Sequence, residues 1–355
     1  MKKLLFTCFS LCLAILFALS GCSCTMTQPL VFNKAYIGDG SGNYSEKLEY
    51  SVGYESSYQD ITNATNIDKD KIPNYSGTFV FEFSNSHNAL PIGIKTDIDY
   101  EQDYHYLKSS LTLDITLDGK TYNDKIITEV YFHSKDWSLA PVYSKTTMKN
   151  TYIALGSEIS VDQMIYQYTT LYKKGSYTLT KTYYKADDKE DVNLIDIENT
   201  TDSNSPSFFN TEKLSAMSGN GKSYEYEVRR VIDNAQLMFA IRNSDLNNAI
   251  PTVSFSYGSP ININASNKNQ TNYNIDKLIY NGENKDKTNM TVNNIEFSIN
   301  STNNRGSSKY MAIQANEVNG IKNNALIVEY AEPVLSGLSN IGALVYKLNK
   351  VTINN

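Results

Sequence analysis

Apolar and polar residues alternate with a period of two along most of the chain after residue 45. Every second side chain of a β-strand points to the same face of a sheet, so this pattern predicts strands with one buried face. Eight such segments, each bounded by Gly, Asn, Asp or Ser, lie at residues 77–83, 109–119, 126–132, 176–184, 223–231, 252–257, 293–299 and 324–331. Asp118-Gly119 is a strong signal for a two-residue hairpin turn. The sequence therefore predicts a mainly antiparallel β protein.

Two segments depart from this alternation. Residues 157–172 fit either a short helix or a bend followed by a strand, and their periodicity does not separate the two. Residues 233–246 favour a helix, because Asp233 can cap its first turn and Gln236 occupies the reciprocal capping position. Apolar residues cover almost every side of this helix: Leu237, Met238, Phe239, Ala240 and Ile241. A short helix that is this apolar is expected to be buried against the sheet.

The N-terminus carries the pattern of an export signal. Lys2 and Lys3 precede about sixteen uncharged, mostly apolar residues, and small residues follow before Cys22. The alternative is a transmembrane helix, which needs about 20 apolar residues. Polar residues follow this run directly and no basic stop signal comes after them. A cleaved signal is therefore favoured.

Leu19-Ser20-Gly21-Cys22 resembles the lipobox of bacterial lipoproteins. The resemblance implies diacylation of the Cys22 thiol, cleavage after Gly21 and a mature chain that begins at lipid-bearing Cys22. The expected organisation is a signal peptide at 1–21, a tether at 22–45 and a β domain at 46–355, with a subdivision near 200–222. It also implies an extracytoplasmic protein anchored to the bacterial cell membrane through this lipid.

The cysteine count and the net charge argue against a disulfide and against a nucleic-acid partner. Cys8 and Cys12 would leave with the signal, so Cys24 would have no partner and the fold would depend on burial alone. Loss of Lys2 and Lys3 reduces 32 basic residues to 30 against 38 acidic ones, and moves the net charge from −6 to −8. An acidic chain without a basic tract is a poor candidate for binding nucleic acid.

Residues 129–148, the strands after them and residues 233–246 together resemble an uncharacterised family of envelope proteins related to the LolA-like half-barrel. The family's helix pattern is matched by Asp233, Leu237, Phe239, Ile241 and Arg242, and residues 330–353 resemble its closing strands. The Asn-rich residues 262–274 depart from it. The resemblance spans about residues 76–353 and implies a large curved, half-barrel-like antiparallel sheet with one or two short buried helices. Leu237, Met238, Phe239 and Ile241 would then line a site for an amphipathic or apolar ligand.

Several motifs carry residue types that occur in chemical sites, but each pattern favours a structural role. Residues 216–223 match a loose phosphate-loop pattern, but a strand follows where that loop requires a helix. Residues 97–106 place acidic groups and His105 at alternate positions, which favours a solvated strand face over a cation site. The acidic residues 185–193 lack the glycine and terminal glutamate of a calcium loop, which favours a hairpin tip.

The remaining candidates also point away from catalysis. His87, His105 and His133 are far apart and form no pair with metal-ligand spacing, and Trp137 beside Pro141 favours corner packing. We therefore expect a non-enzymatic protein without cofactor or metal that binds an amphipathic or apolar ligand in its curved sheet. The alternative is a structural or interaction lipoprotein that presents Tyr- and Asn-rich strand faces to envelope polymers or partner proteins.

Overall fold

The structure of the protein, a computed structural model, describes residues 44–56, 71–94, 104–133, 141–155, 159–173, 176–184, 233–236, 238, 252–256, 259–301, 307–315, 317–318, 321–322, 326–336 and 339–354. Strands make up 85% of the interpretable chain and helix 4%. The predicted mainly β class is confirmed.

Fifteen strands lie within the described residues. They are β1 (Ser45–Glu55), β2 (Asn74–Asn88), β3 (Tyr104–Leu117), β4 (Lys120–His133), β5 (Pro141–Leu155), β6 (Ile159–Lys173), β7 (Ser176–Tyr184), β8 (Thr252–Ser256), β9 (Ser259–Tyr280), β10 (Glu283–Ser301), β11 (Ser307–Ala315), β12 (Glu317–Val318), β13 (Ile321–Lys322), β14 (Ile327–Ser336) and β15 (Ser339–Asn354). A 3-10 helix at Asn234–Gln236 lies between β7 and β8 along the chain.

Thirteen strands form one hydrogen-bonded sheet in the order β7-β6-β5-β4-β3-β2-β1-β15-β14-β11-β10-β9-β8. From β1 to β7 each strand pairs antiparallel with the next one in sequence. The last strand, β15, pairs antiparallel with β1 and so joins the C-terminal strands to this meander. Strands β12 and β13 form a separate pair. The first and last strands therefore meet in the middle of the sheet.

One ladder of the sheet is parallel, which the sequence did not predict. Residues 350–353 of β15 pair in parallel with residues 277–280 of β9. The Asn281 N–H also donates to the Ile353 carbonyl at 2.9 Å. The pairings of β9, β10, β11, β14 and β15 consequently run round a ring, while β7 and β8 lie at the two ends of the strand order.

The sheet curls so that strands distant in the order approach one another. The 3-10 helix contacts both β4 and β8, and β5 contacts β14. Neither pair is adjacent in the sheet, so a flat arrangement would hold them far apart. The predicted curved sheet is confirmed, and the 3-10 helix lies on its concave side, which we call the inner face.

The predicted strands within the described residues are all present. Segments 77–83, 109–117, 126–132, 176–184, 252–256 and 293–299 lie inside β2, β3, β4, β7, β8 and β10, and β14 begins within 324–331. The open question at 157–172 is decided in favour of a strand, β6. The Asn-rich residues 262–274 form part of β9, and segment 223–231 lies outside the described residues.

Two hairpins turn on dipeptides with positive φ angles. Asp118 and Gly119 have φ of 49° and 75° between β3 and β4, which confirms the predicted turn. Asn281 and Gly282 have φ of 49° and 82° between β9 and β10. Two consecutive positive φ values are typical of the type I′ turn, whose twist matches that of paired strands.

A bulge in β15 lets both even- and odd-numbered residues of this strand face inward. Leu348 pairs with Tyr50, but Lys350 pairs with Glu49, so Asn349 is the extra residue. An extra residue reverses the alternation beyond it. Leu348 and Val351 are therefore both buried, at 1% and 0% exposure.

One continuous cluster of buried side chains covers the inner face across eight strands. Its large fully buried members come from strands on both sides of β1: Phe83, Phe132, Leu48, Leu107, Ile275, Leu278 and Met290. Aromatic rings connect its parts, with the Tyr50 and Phe79 centroids 5.7 Å apart and Phe79 and Tyr346 at 5.3 Å. The N- and C-terminal strands therefore share one core.

Candidate functional site

The described start of the predicted helix is a capped turn on the inner face. The Asp233 Oδ1 accepts from the Ala235 N–H at 3.1 Å, and the Gln236 Oε1 accepts from the Asp233 N–H at 2.8 Å. This is the reciprocal capping expected from the sequence, and it is confirmed. The turn is a 3-10 helix and Met238 is helical, whereas residues 239–246 lie outside the described residues.

A tyrosine of β6 fixes this turn to the sheet. The Tyr172 hydroxyl donates to the Asp233 Oδ2 at 2.6 Å, and both residues are buried. Burial, followed by the Asp233 charge and this hydrogen bond, raises the pKa of Tyr172 well above its ordinary value, although hydrogen bonds with Ser144 and Thr170 act in the opposite sense. Tyr172 therefore stays protonated and keeps donating to Asp233.

Around this contact the inner face changes from apolar to hydroxyl-bearing. Four buried residues of β3 to β6 carry the hydroxyls: Ser109, Thr128, Ser144 and Thr170. Thr128 and Thr146 are joined through their Oγ1 atoms at 3.0 Å. Hydroxyls can donate and accept at once, so they satisfy one another where no charged group is present. This hydroxyl-bearing region and the Asp233 turn add polar groups to the described inner face.

The residues expected to line a ligand site fall mainly outside the described part. Met238 is half-buried and packs against the apolar cluster together with Ala235. Leu237, Phe239 and Ile241 lie outside the described residues, as does Cys22. The geometry thus places one of the four expected lining residues at the edge of the core.

Removal of the Asp233 carboxylate should destabilise the fold. Asp233→Ala takes the acceptor from both the Tyr172 hydroxyl and the Ala235 N–H, and we expect a loss of about 2 kcal/mol in the free energy of unfolding. Tyr172→Phe removes one of these bonds and should cost less. Urea denaturation of both single variants and the double variant measures their coupling. Additive losses would contradict the hydrogen bond.

Tyrosine hydroxyls pair with carboxylates at three further places. Tyr44 donates to Glu46 at 2.9 Å, Tyr106 to Glu129 at 2.6 Å and Tyr346 to Glu332 at 3.1 Å. Burial raises the pKa of Glu332, and the Tyr346 hydrogen bond opposes that effect. Several tyrosines of the described residues therefore serve internal pairing. Apart from Tyr44 and Glu46, these partners are distant in sequence, so no local signal could have found them.

Another buried carboxylate lies between β4 and β5. Asp124 is 3% exposed, and it accepts from the Thr151 backbone N–H at 2.9 Å and from its hydroxyl at 2.6 Å. Burial raises the pKa of Asp124, while the two Thr151 hydrogen bonds lower it. Both acceptor oxygens are occupied by one residue, which favours a structural role.

The outer face of the meander carries charges of alternating sign. Register places Glu82 opposite Lys108, Lys108 opposite Glu129 and Glu129 opposite Lys145. Lys47 begins the row with an ion pair to Glu82 at 3.1 Å. Exposed ion pairs contribute little to stability individually. This row chiefly matches opposite charges across strands and keeps the outer face soluble.

The outer side of the β9–β10 hairpin presents amides to solvent. Asn274 lies opposite Asn289, and Asn272 opposite Thr291, and all four side chains are exposed. The intervening residues face the other way, with Met290 buried and Tyr273 half-buried. The described side chains of this hairpin therefore form two faces, and we call the solvent-exposed one the amide face: Asn272, Asn274, Asn289 and Thr291.

The prediction for residues 97–106 is wrong at His105. His105 is 7% exposed and packs against Phe83 and Phe132, with centroid distances of 5.9 and 5.4 Å. His105 belongs to the inward-facing residues of β3, since Leu107 lies two residues on and shares its face. The acidic residues before Tyr104 lie outside the described residues.

The other sequence candidates are not brought together by the described structure. Segments 185–193 and 216–223 and Trp137 lie outside the described residues, and the side chains of His87 and His133 are not described. Within the described part, no three His, Cys, Asp or Glu side chains form a metal-binding group. None of its helices is long and apolar enough to cross a membrane.

Comparison with family models, curated proteins and solved structures returned no match to this chain.

Proposed function

We propose that this chain is a lipid-anchored extracytoplasmic protein, without catalytic activity, that binds an envelope polymer through its amide face. The membrane attachment rests on the lipobox-like sequence ending at Cys22. Two acyl chains hold a protein stably on a bilayer, whereas one chain gives only marginal binding. The amide face then determines what the anchored domain contacts.

The observation that carries the binding proposal is the exposure of paired amides on a regular strand pair. Each Asn side chain offers an N–H₂ donor and a carbonyl acceptor, which can pair with neighbouring hydroxyl or acetamido groups of a glycan. Strand geometry repeats these groups at fixed spacing, about 7 Å between Asn272 and Asn274 along one strand. A repeating polymer fits such a surface better than a compact ligand does.

The packing of the inner face also supports binding of the polymer at the outer surface of the sheet. Side chains of eight strands merge there into one buried cluster, and Met238 packs against it. Tyrosines of the described part are mostly buried or half-buried, and several of their hydroxyls already bind carboxylates or carbonyls. The exposed asparagines, rather than the tyrosines, therefore form the proposed binding surface.

Membrane attachment is tested by substitution of Cys22. We expect Cys22→Ala to abolish incorporation of labelled fatty acid and to leave the precursor uncleaved, because the thiol is the acylated group. Cys24→Ala is the matched control and should incorporate label normally. Mass spectrometry of the N-terminus and fatty-acid labelling in cells measure both effects. Normal labelling of the Cys22→Ala protein would disprove the anchor.

Polymer binding is tested on the amide face. A triple variant with Asn272→Ala, Asn274→Ala and Asn289→Ala should bind isolated envelope polysaccharide about a hundredfold more weakly, since each of three side chains loses a hydrogen bond of about 1 kcal/mol. The control carries Thr112→Ala, Thr116→Ala and Thr121→Ala, exposed positions on β3 and β4. Sedimentation with the polymer measures binding. Equal binding by both variants would contradict the proposal.

A second candidate function is binding of an amphipathic ligand on the inner face. The observation that favours it is half-buried Met238, which packs against the apolar cluster and follows the Asp233 turn that Tyr172 binds. A ligand with one polar end could contact both surfaces. Native mass spectrometry of protein made without its signal should then show a bound lipid, and the mass of the bare chain alone would exclude this candidate.

A further inference from the structure

The described part of the loop after β2 forms an apolar turn, which we call the tip, that is open to solvent. Residues 89–94, Ala-Leu-Pro-Ile-Gly-Ile, contain no polar side chain. Ile92 is the one large apolar side chain of the described residues that is fully exposed. Isolated exposed apolar residues are common on protein surfaces. Here Ala89, Ile92 and Gly93 are exposed and the other three residues of the stretch are half-buried, so an unbroken apolar turn faces solvent, which is a stronger indication of an interaction site.

A tight turn holds this tip in shape. The Ile94 N–H donates to the Pro91 carbonyl at 3.1 Å, and Gly93 has a φ of 89°. Glycine with positive φ at the third position is typical of a type II turn. Ile92 occupies the second position, at the corner, so the turn itself presents the side chain outward and little ordering entropy is lost on contact.

The tether enters the domain at the same end of the sheet. The Tyr44 carbonyl accepts from the Asn85 N–H at 3.0 Å, and the Tyr44 N–H donates to the Asn85 Oδ1 at 2.7 Å. Tyr44 is the first described residue, and Asn85 lies near the end of β2 from which the apolar loop departs. The β3–β4 hairpin at Asp118-Gly119 lies at the opposite end of these strands.

We propose that residues 89–94 dock into the surface of the lipid bilayer to which the tether anchors the protein. This inference rests on the proposed lipid anchor. Residues 22–43 separate the proposed lipid from Tyr44, and a stretch of that many residues can reach at most roughly 75 Å, so it keeps the loop at high local concentration near the bilayer. Insertion of a few apolar side chains is weak by itself, and tethering makes such a contact populated.

The charge of the neighbouring sequence indicates the type of surface. Lys95 follows the tip, but Asp97, Asp99, Glu101 and Asp103 come soon after it. An acidic segment is repelled by anionic headgroups and not by zwitterionic ones. Loop contact should therefore be stronger on zwitterionic vesicles than on vesicles rich in anionic lipid.

The test places a single tryptophan on the loop of a protein that is attached to vesicles in vitro. The chain begins at Cys22, which is coupled to a maleimide lipid, and Cys24→Ser leaves one thiol. Trp137→Phe removes the only native tryptophan. Ile92→Trp then introduces the probe at the tip, and Lys120→Trp is the matched control at the opposite end of the sheet.

Bromine-labelled zwitterionic lipid should quench tryptophan at position 92 several-fold more than at position 120, with a blue shift of its emission. Equal quenching at the two positions would overturn the inference and would leave a protein pocket as the occupant of the tip. Because coupling is done in vitro, this result does not depend on lipidation in cells. Failure of Cys22 labelling in cells would overturn the anchor without changing the vesicle result.

Discussion

Phe83→Ala should lower the free energy of unfolding by about 3–5 kcal/mol, the range for loss of a fully buried phenylalanine. Phe83 is 2% exposed in the middle of the core. Its ring lies 6.0 Å from the Tyr44 centroid and 6.1 Å from that of Phe132. Strands β3 and β4 and the residue before β1 therefore lose contacts with this ring together, and the cavity cannot close without moving the sheet.

Urea denaturation of the chain without its signal measures this loss. Thr78→Ala is the matched control, because Thr78 is exposed on the same strand and should change stability by less than about 0.5 kcal/mol. A loss for Phe83→Ala no larger than that of the control would show that the inner face is not packed as described.

Gly77→Ala should cost about 3 kcal/mol or more, at or above the upper end of the usual range for overpacking. A Cβ at Gly77 would lie 2.1 Å from the Thr112 carbonyl oxygen and 3.0 Å from the Leu113 Cα. Both are backbone atoms of β3, so no side-chain rotation can relieve the clash. Strands β2 and β3 would have to separate at this point.

Gly53→Ala on the adjacent strand, β1, should not lower the free energy of unfolding. A Cβ there meets nothing within 4 Å, so the substitution should be neutral or stabilise by up to about 1 kcal/mol, since glycine weakens a strand interior. The change in free energy of unfolding, measured by heat and by urea, should therefore be a loss for Gly77→Ala and zero or a gain for Gly53→Ala. Equal stability of both variants would contradict the close approach of β2 and β3.

Much of the fold could be predicted because strand alternation is a local property of the sequence. The six described segments expected at 77–83, 109–117, 126–132, 176–184, 252–256 and 293–299 are strands, and Asp118-Gly119 forms the expected turn. Asn281-Gly282 carries the same kind of signal and makes an equivalent turn. Gly77, which marks the start of a predicted segment, instead lies inside β2, because close backbone contact is not visible in sequence.

At the candidate site, only the contacts between residues close together in sequence could be predicted. Asp233 and Gln236 are three residues apart, and their capping hydrogen bonds follow from that spacing. Tyr172 binds Asp233 from 61 residues away, and nothing near either residue indicates the pairing. Likewise His105 follows an acidic alternation, yet it is buried between Phe83 and Phe132 from neighbouring strands.

The sequence by itself determined the β class, most described strands, the hairpin turn and the capped turn at Asp233, since each depends on residues close together in the chain. It also carries the lipobox-like motif on which the proposed anchor depends. Only the tertiary structure decided that β1 and β15 pair, that β9 adds a parallel ladder to β15, and that asparagines of β9 and β10 face outward together. These features join residues far apart in sequence, and their free energy arises only when the curved sheet brings those residues into contact.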